Sequence, residues 1–176
     1  MKIEDDRYYH IYNRGNNKGL IFFEERNYQY FLKKFKHYVV PHAEIFAYCL
    51  MPNHFHFFLK IRNKEKFRAG IKNFFISYSK SINQAYSRVG SLFQGRYKAK
   101  QLYTELGFCR IVTYIHENPV QSKLTETPAE YKFSSYCHFL SSTQTFISRG
   151  EVLSWFTDLN GFRSAHSEVV GFQKKS

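Results

Sequence analysis

The chain has 176 residues, about the length of one average domain, and 19% of them are aromatic. It carries 26 Lys and Arg against 14 Asp and Glu, which gives a formal net charge of +12. The aromatic content excludes an intrinsically disordered chain, and the positive charge favours a polyanionic partner, first of all nucleic acid. The alternative interpretation is that the charge only keeps the protein soluble.

The cysteines and the apolar segments indicate a protein of the reducing cytosol. Cys49, Cys109 and Cys137 form no CxxC pair, which argues against a disulfide framework or a Cys-rich zinc site. No apolar run reaches 18 residues, so we expect no membrane span. The first six residues contain no apolar signal core. We therefore expect a cytoplasmic protein.

Hydrophobic periodicity predicts a regular order of strands and helices up to residue 117. The predicted elements are a strand at 8–13 with a turn at 14–17, a helix at 24–40 stopped by Pro41, strands at 43–51 and 54–61 joined by a turn at Pro52-Asn53, a helix at 66–88, a loop and strand within 91–103, and a helix at 105–117. The residue before a proline resists the helical conformation, so we expect the third helix to end at Asn118-Pro119.

This order, β-α-β-β-α-β, predicts an α+β fold, the ferredoxin-like (RRM-like) split βαβ sandwich with an antiparallel sheet. Two helices cover one face of such a sheet, and the third helix is the natural candidate for the open face. We expect one domain over residues 1–140. Residues 141–176 contain Trp155, Phe156 and Phe162, and we interpret them as a small helical appendage that packs on or near the domain.

His54-Phe55-His56 is the sharpest local signal in the sequence. Side chains two apart on a strand point the same way, so His54, His56 and Phe58 share one face. The other face is wholly apolar and is expected under the helices; it consists of Phe55, Phe57, Leu59 and Ile61. Two neighbouring imidazoles can chelate a divalent cation, with a third ligand from elsewhere. The alternative is a pair of half-buried sheet histidines bonded to the backbone or to tyrosine.

The second signal is the segment YIHENPV at 114–120. Tyr114 and Asn118 are four residues apart on a helix and share one face, whereas His116 lies about 200° round from Tyr114 and is not placed in the site. If this helix covers the open face, the Asn118 amide oxygen could be the third ligand and the Tyr114 hydroxyl could lie near the ion. The alternative for Tyr114 is an ordinary packing residue.

These segments together resemble the single-tyrosine transposases of the HUH endonuclease superfamily, the IS200-like transposase family, and most closely the REP-associated branch. The matching segments are MPNHFHFFLK at 51–60, YIHENPV at 114–120, YNRG at 12–15, SLFQGRYKA at 91–99 and YKFSSY at 131–136. HUH stands for His-hydrophobic-His, which His54-Phe55-His56 matches. The resemblance covers about residues 7–140.

The resemblance implies a ferredoxin-like enzyme that cuts single-stranded DNA, usually beside a DNA hairpin, and rejoins it. His54, His56 and Asn118 align with the ligands of Mg²⁺ or Mn²⁺, and Tyr114 aligns with the nucleophile. The product is a 5′-phosphotyrosine and a free 3′-hydroxyl, and this linkage keeps the phosphodiester energy, so rejoining needs no ATP or other nucleotide. The branch favours a monomer over a homodimer, acting on DNA of the bacterial nucleoid.

Basic residues near the predicted fourth strand are candidates for DNA contact. Arg96, Lys98 and Lys100 alternate along it and are expected to point the same way, and Arg14 follows the first strand. With nearby aromatic side chains they could bind phosphates and stack unpaired bases. The alternative is a solvated edge strand protected by lysine.

Two other functions remain open from the residues alone. One is a non-catalytic, RRM-like protein that binds single-stranded nucleic acid on its strand aromatics. The other is a metal-dependent nuclease in which water attacks the phosphate and Tyr114 takes no part. Simple binding needs no set of His54, His56, Tyr114 and Asn118, so their presence together favours the transposase.

Overall fold

The computed structural model describes residues 3–173, with side chains for residues 3–166. Residues 1–2 and 174–176 of the predicted domain and appendage lie outside the described residues. The elements are β1 Arg7–Arg14, α1 Glu25–Tyr38, β2 Ala43–Met51, β3 His54–Ile61, α2 Lys64–Ala85, β4 Lys98–Leu102, α3 Glu105–Gln121, α4 Tyr136–Phe139, α5 Arg149–Trp155 and α6 Leu159–Gln173. Short 3-10 turns occupy Asn16–Lys18, Val40–His42 and Pro128–Glu130.

The four strands form one antiparallel sheet in the order β2-β3-β1-β4. This is the strand order of the split βαβ sandwich, so the predicted fold is confirmed. The register places His56 of β3 opposite Tyr12 of β1 and Cys49 of β2. Residues paired across strands share a face, so the HxH histidines and every second residue of β1 lie on the same side of the sheet.

Helices α1 and α2 cover the apolar face of the sheet. Phe35 of α1 stacks on Phe57 of β3 with ring centroids 3.8 Å apart, and Phe31 packs edge-on against Phe74 of α2. All four rings are almost fully buried, and each contributes about 1.5–3 kcal/mol from removal of its apolar surface from water. The Phe55-Phe57 side of β3 is therefore fixed toward this core, and its histidines must face the other way.

Helix α3 covers β2 and β3 on the opposite face, as the sequence predicts. Thr104 caps its N-terminus, because the Thr104 side chain accepts a hydrogen bond from Gly107 N at 3.1 Å. Phe108 packs on Phe58 of β3, and Val112 and Ile115 are completely buried. Since α3 lies over β2 and β3, the far end of β1 at Tyr12 and Arg14 and the neighbouring Lys98 and Lys100 of β4 stay partly or fully exposed beside it.

The predicted end of the third helix is wrong, because α3 continues through Pro119 to Gln121. Proline removes one backbone donor, but the turn beyond it keeps its own hydrogen bonds, from Ser122 N to Asn118 O and from Leu124 N to Pro119 O, both 2.9 Å long. Burial of Asn118 and Pro119 stabilises this last turn. Asn118 therefore lies inside the helix and not at its end.

The predicted appendage contains α5 and α6, and it contacts both β2 and α3. Ile147 forms a parallel bridge with Ile45 at the bulge of β2, and Trp155 lies against Phe46, Phe58 and Phe108. These contacts hold the C-terminal helices against the same sheet face as α3. Among the helices of residues 3–173, none is long and apolar enough to span a bilayer.

Candidate active site

A cleft of about 780 Å³ opens where the uncovered part of the sheet meets α3. It brings together residues that are distant in sequence but were predicted to act together. Its lining includes Tyr12, Arg14, His54, His56, Lys98 and Tyr114. The cleft therefore joins the HxH pair, the tyrosine of α3 and two of the predicted DNA-binding residues.

His54 is held by its neighbour in the turn that precedes β3. Its Nδ1 lies 2.7 Å from Asn53 Oδ1, so Nδ1–H donates to that amide oxygen and Nε2 keeps its lone pair. The Asn118 side chain lies within hydrogen-bonding reach of His54. Burial lowers the pKa of His54, with a smaller opposing effect of this Asn118 contact, so the ring is neutral at pH 7.

His56 is bonded to a histidine of the neighbouring strand. Its Nδ1 lies 2.8 Å from His10 Nε2, and both rings are more than 90% buried. The other ring nitrogen, His56 Nε2, is buried and has no hydrogen-bond partner. Burial lowers the pKa of His56, and the neighbouring His10 and His54 lower it further, so this ring is also neutral.

Helix α3 presents Tyr114 and Asn118 to these histidines. The Tyr114 ring centroid lies 5.6 Å from that of His56, and the side chain is 41% exposed to the cleft and solvent. Asn118 Nδ2 donates to the Tyr114 carbonyl at 2.7 Å, which leaves the amide oxygen available on the side of His54. One turn of helix thus carries a phenol next to His56 and an amide next to His54, and of these two side chains Tyr114 lines the cleft and Asn118 does not.

The donors at the cleft fit a divalent cation. His54 keeps an Nε2 lone pair, His56 has an Nε2 without a partner, and the amide of Asn118 supplies an oxygen. Within residues 3–166, no group of three or more His, Cys, Asp and Glu side chains could hold a metal. Among the described residues, a third side-chain ligand would therefore be of another type, such as the amide of Asn118.

The predicted DNA-binding residues divide between two places. Arg14 and Lys98 line the cleft, and Lys100 lies opposite His10 on β4. Arg96 precedes β4, so its predicted place in the strand is wrong: Gly95 has a φ of +72°, and this turn breaks the alternation before Lys98. Arg96 borders a second cleft of about 750 Å³ beside α2.

Sequence reasoning missed His10 and Tyr12 as residues of the site. Both lie in the YYHIYN strand, and Tyr12 stacks on His10 with ring centroids 4.7 Å apart. The sequence shows that His10, Tyr12 and Arg14 are spaced two residues apart, so they share one face of the strand. The pairing of β1 with β3, which no local pattern specifies, is what brings them to His56.

His116 lies away from the cleft, as its helical angle indicated. Its ring is fully buried between Ser135 and His166, with Nε2 2.8 Å from Ser135 Oγ and Nδ1 3.0 Å from His166 Nε2. Glu117, the next residue, is also buried, and burial raises its pKa to about 7. Neither side chain lines the cleft.

Comparison with known proteins agrees with this architecture. No curated protein sequence matches the chain significantly. Among solved structures, it is similar to the structure of the REP-associated tyrosine transposase bound to a REP hairpin, with a TM-score of 0.67 at 15% identity over 86% of this chain and 90% of the other. At that identity the likeness shows the fold. The sequence model of the family described as "Transposase IS200 like" matches residues 5–118, and this chain belongs to that family of transposases.

Proposed function

We propose that this transposase is metal-dependent and cuts and rejoins single-stranded DNA through a covalent bond to Tyr114. The observation that carries the proposal is the meeting of the Tyr114 phenol and two neutral histidines in one open cleft. The cleft is lined by Arg14 and Lys98, whose charges suit a phosphate backbone. The partial exposure of Tyr114 leaves its hydroxyl accessible to such a strand.

His54 Nε2, His56 Nε2 and Asn118 Oδ1 would hold Mg²⁺ or Mn²⁺. A bound cation of this kind acts as a Lewis acid that neutralises charge developing on the phosphate oxygens. The side chains around it do the rest of the positioning. Asn53 fixes the His54 ring, and the hydrogen bond from Asn118 to the Tyr114 carbonyl fixes the amide relative to the nucleophile's own backbone.

The chemical step follows from the position of the phenol. The Tyr114 oxygen, as it loses its proton, attacks the scissile phosphorus, and the bond from phosphorus to the 3′-oxygen breaks. The 3′-oxygen leaves and takes up a proton, which gives a 5′-phosphotyrosine and a free 3′-hydroxyl. Attack by another 3′-hydroxyl reverses the same exchange, so strands are rejoined without a nucleotide cofactor.

The uncovered sheet next to the cleft provides a path for the strand. Tyr12 offers an aromatic ring for base stacking, and Arg14, Lys98 and Lys100 offer charge for phosphates. The similar solved structure holds a REP hairpin, which supports a hairpin-flanked substrate here. The Arg96 cleft beside α2 would contact a more distant part of the same DNA.

A single chain suffices for this site. Tyr114 lies beside His56 of its own chain, so no second copy is needed to bring the nucleophile to the histidines. We therefore propose a monomer that acts on the DNA of the bacterial cytoplasm and nucleoid. Sedimentation of the protein–DNA complex at one protein per hairpin would support this assignment, and a complex with two proteins per hairpin would overturn it.

The experiment that tests the proposal is incubation with end-labelled, hairpin-bearing single-stranded oligonucleotides and Mn²⁺, followed by denaturing electrophoresis. The wild-type protein should give a protein–DNA adduct that survives denaturation. Tyr114→Phe should keep DNA binding and lose the adduct, while Tyr103→Phe, at an exposed tyrosine outside the cleft, should keep both.

The other outcomes separate the alternative functions. Cleavage without any adduct would indicate a hydrolytic nuclease in which water attacks. Binding without cleavage, under every metal condition, would indicate a non-catalytic single-strand-binding protein. An adduct that persists in Tyr114→Phe would move the nucleophile to another residue.

A further inference from the structure

We propose that His10 is a positioning residue: it accepts the Nδ1–H of His56 and so keeps His56 Nε2 unprotonated and directed at the metal site. This inference rests on the proposed metal dependence. It assigns a function to a residue of β1 that lies 44 positions before the HxH segment's first histidine.

The contact is short and enclosed. His10 Nε2 and His56 Nδ1 are 2.8 Å apart, and the two rings are nearly parallel, with centroids 5.0 Å apart. His10 is 7% exposed and His56 is 6% exposed, so water does not compete freely for this hydrogen bond. The antiparallel register sets the contact, because His56 lies directly opposite Tyr12 and His10 is the next residue on the same face.

Two proton placements fit these heavy atoms, and they have opposite consequences. If His10 Nε2–H donates, His56 carries its own proton on Nε2, and a buried N–H is left without an acceptor. If His56 Nδ1–H donates, His56 Nε2 keeps a lone pair. That nitrogen is the one that has no partner in the structure, so the second placement turns an unsatisfied atom into a ligand.

The other histidine of the pair shows the same arrangement with a different acceptor. His54 Nδ1–H donates to Asn53 Oδ1 at 2.7 Å, which leaves His54 Nε2 free. Histidines that bind metals usually donate their second ring N–H to an acceptor of this kind, and the acceptor fixes both tautomer and ring orientation. His10 would supply to His56 what Asn53 supplies to His54.

The surroundings of His10 hold it in place as a neutral acceptor. Tyr12 stacks on one side of the ring, with centroids 4.7 Å apart, and Tyr114 lies edge-on at 6.1 Å. Lys100 lies opposite His10 on β4. An acceptor at this point of β1 therefore stays aligned with His56 without a carboxylate.

The first test measures the tautomer directly in the metal-free protein. Long-range ¹H–¹⁵N NMR of the wild-type chain should show His56 with a protonated Nδ1 and an unprotonated Nε2. A protonated Nε2 on His56 would overturn the inference whatever the activity of the enzyme. Because this measurement uses the wild-type protein, it does not depend on whether any variant folds.

The second test compares Mn²⁺ affinity, measured by electron paramagnetic resonance titration, in two variants. His10→Phe keeps a ring of similar size but has no acceptor, and we expect about 10- to 100-fold weaker Mn²⁺ binding. His10→Gln offers an amide oxygen near the position of Nε2 and should restore the affinity to within a few fold of wild type. Affinity for a single-stranded oligonucleotide in EDTA should be equal in all three proteins.

The outcomes distinguish this inference from the proposed function. A wild-type protein that binds no Mn²⁺ at the cleft would contradict the metal dependence itself. A wild type that binds Mn²⁺, together with a His10→Phe variant that binds it equally well, would reject only the role of His10. Equal losses in His10→Phe and His10→Gln, with unchanged melting temperatures, would also reject it, since acceptor chemistry would then be irrelevant.

Discussion

Two histidine pairs in this protein make nearly the same contact but differ in what each leaves unsatisfied. The cleft pair is His10 and His56, with ring nitrogens 2.8 Å apart, and the core pair is His116 and His166, with ring nitrogens 3.0 Å apart. All four rings are buried, and burial lowers the pKa of each. A histidine-to-histidine hydrogen bond by itself therefore does not mark a functional site.

The core pair belongs to a series of hydrogen bonds in which every ring nitrogen has a partner. Tyr48 N–H donates to Ser135 Oγ, Ser135 donates to His116 Nε2, His116 Nδ1–H donates to His166 Nε2, and His166 Nδ1–H donates to Phe162 O. Every ring nitrogen has one partner, and each partner fixes the next proton. This series joins β2, α3 and α6, so its role is to hold the C-terminal helix on the domain.

The cleft pair ends instead on a buried, unpartnered nitrogen. His56 Nε2 has no partner, and it lies beside the phenol of Tyr114 in a cleft lined by basic residues. A buried acceptor without a donor is unfavourable unless something binds there. Other buried polar atoms of the described residues also lack a partner, so what distinguishes the cleft pair is an unpartnered nitrogen together with the neighbouring Tyr114 and the basic lining of the cleft.

The largest expected effect is the loss of cleavage activity when His56 of the cleft pair is replaced. His56→Ala removes one metal ligand, and we expect metal-dependent cleavage to fall by about 10³-fold or more, since a Lewis acid supplies several kcal/mol to such a step. The melting temperature should change by only a few degrees, because the cleft face is not the main core. His37→Ala, at an exposed histidine of α1, is the matched control and should cleave at the wild-type rate. Wild-type cleavage by His56→Ala would remove this residue from the site.

Low pH should reduce the stability that the core pair contributes to the folded protein. Burial lowers the pKa of His166 to about 4, below the 6.5 of an exposed histidine, so the unfolded chain binds this proton first. The stability that His166 contributes is fully present above pH 6.5 and is lost as the pH falls toward 4. The difference in unfolding free energy between wild type and His166→Leu, from urea titrations at pH 7 and pH 4, should change by about 3 kcal/mol. A difference independent of pH would contradict a buried, neutral His166.

Substitution of the core pair at neutral pH should affect stability and not chemistry. His166→Leu leaves His116 Nδ1–H without an acceptor in a fully buried position, which costs about 1–3 kcal/mol. At a temperature where the variant is folded, its cleavage rate and Mn²⁺ affinity should equal those of wild type. A loss of Mn²⁺ affinity in the folded variant would break the proposed division between the two pairs.

The smallest effect concerns the basic residues on either side of the β4 start. Lys98→Ala should weaken binding of a single-stranded oligonucleotide a few fold and reduce the log–log salt slope by about 0.7, the expectation for one phosphate contact. Arg96 borders a different cleft. With an oligonucleotide short enough to fill only the first cleft, Arg96→Ala should therefore leave both the DNA affinity and its salt slope unchanged. Equal slopes for Lys98→Ala and wild type would exclude a phosphate contact by Lys98.

Local patterns in the sequence predicted the elements that carry the site. Alternation along β3 is enough to put His54 and His56 on one face, because Phe55 and Phe57 must enter the core. A spacing of four is enough to align Tyr114 with Asn118. The same rule turned His116 away from them, and the structure places it in the core. These inferences work because strand and helix periods depend only on the backbone geometry.

The sequence by itself did not determine where α3 ends or where β4 begins. Pro119 predicted a helix end, but burial of α3 against the sheet carries the helix to Gln121. The turn at Gly95 removed Arg96 from the strand that its spacing suggested. Each case is a local preference overridden by tertiary packing or by a backbone conformation that only the folded chain fixes.

The amino-acid sequence determined which faces of β3 and α3 carry the imidazoles, the phenol and the amide, because those faces follow from the periods of strand and helix. The tertiary structure alone decided that β1 lies beside β3 in a register that sets His10 against His56 and leaves the buried His56 Nε2 without a hydrogen-bond partner. Strand pairing joins residues far apart in the chain, so its register depends on the packing of the whole domain.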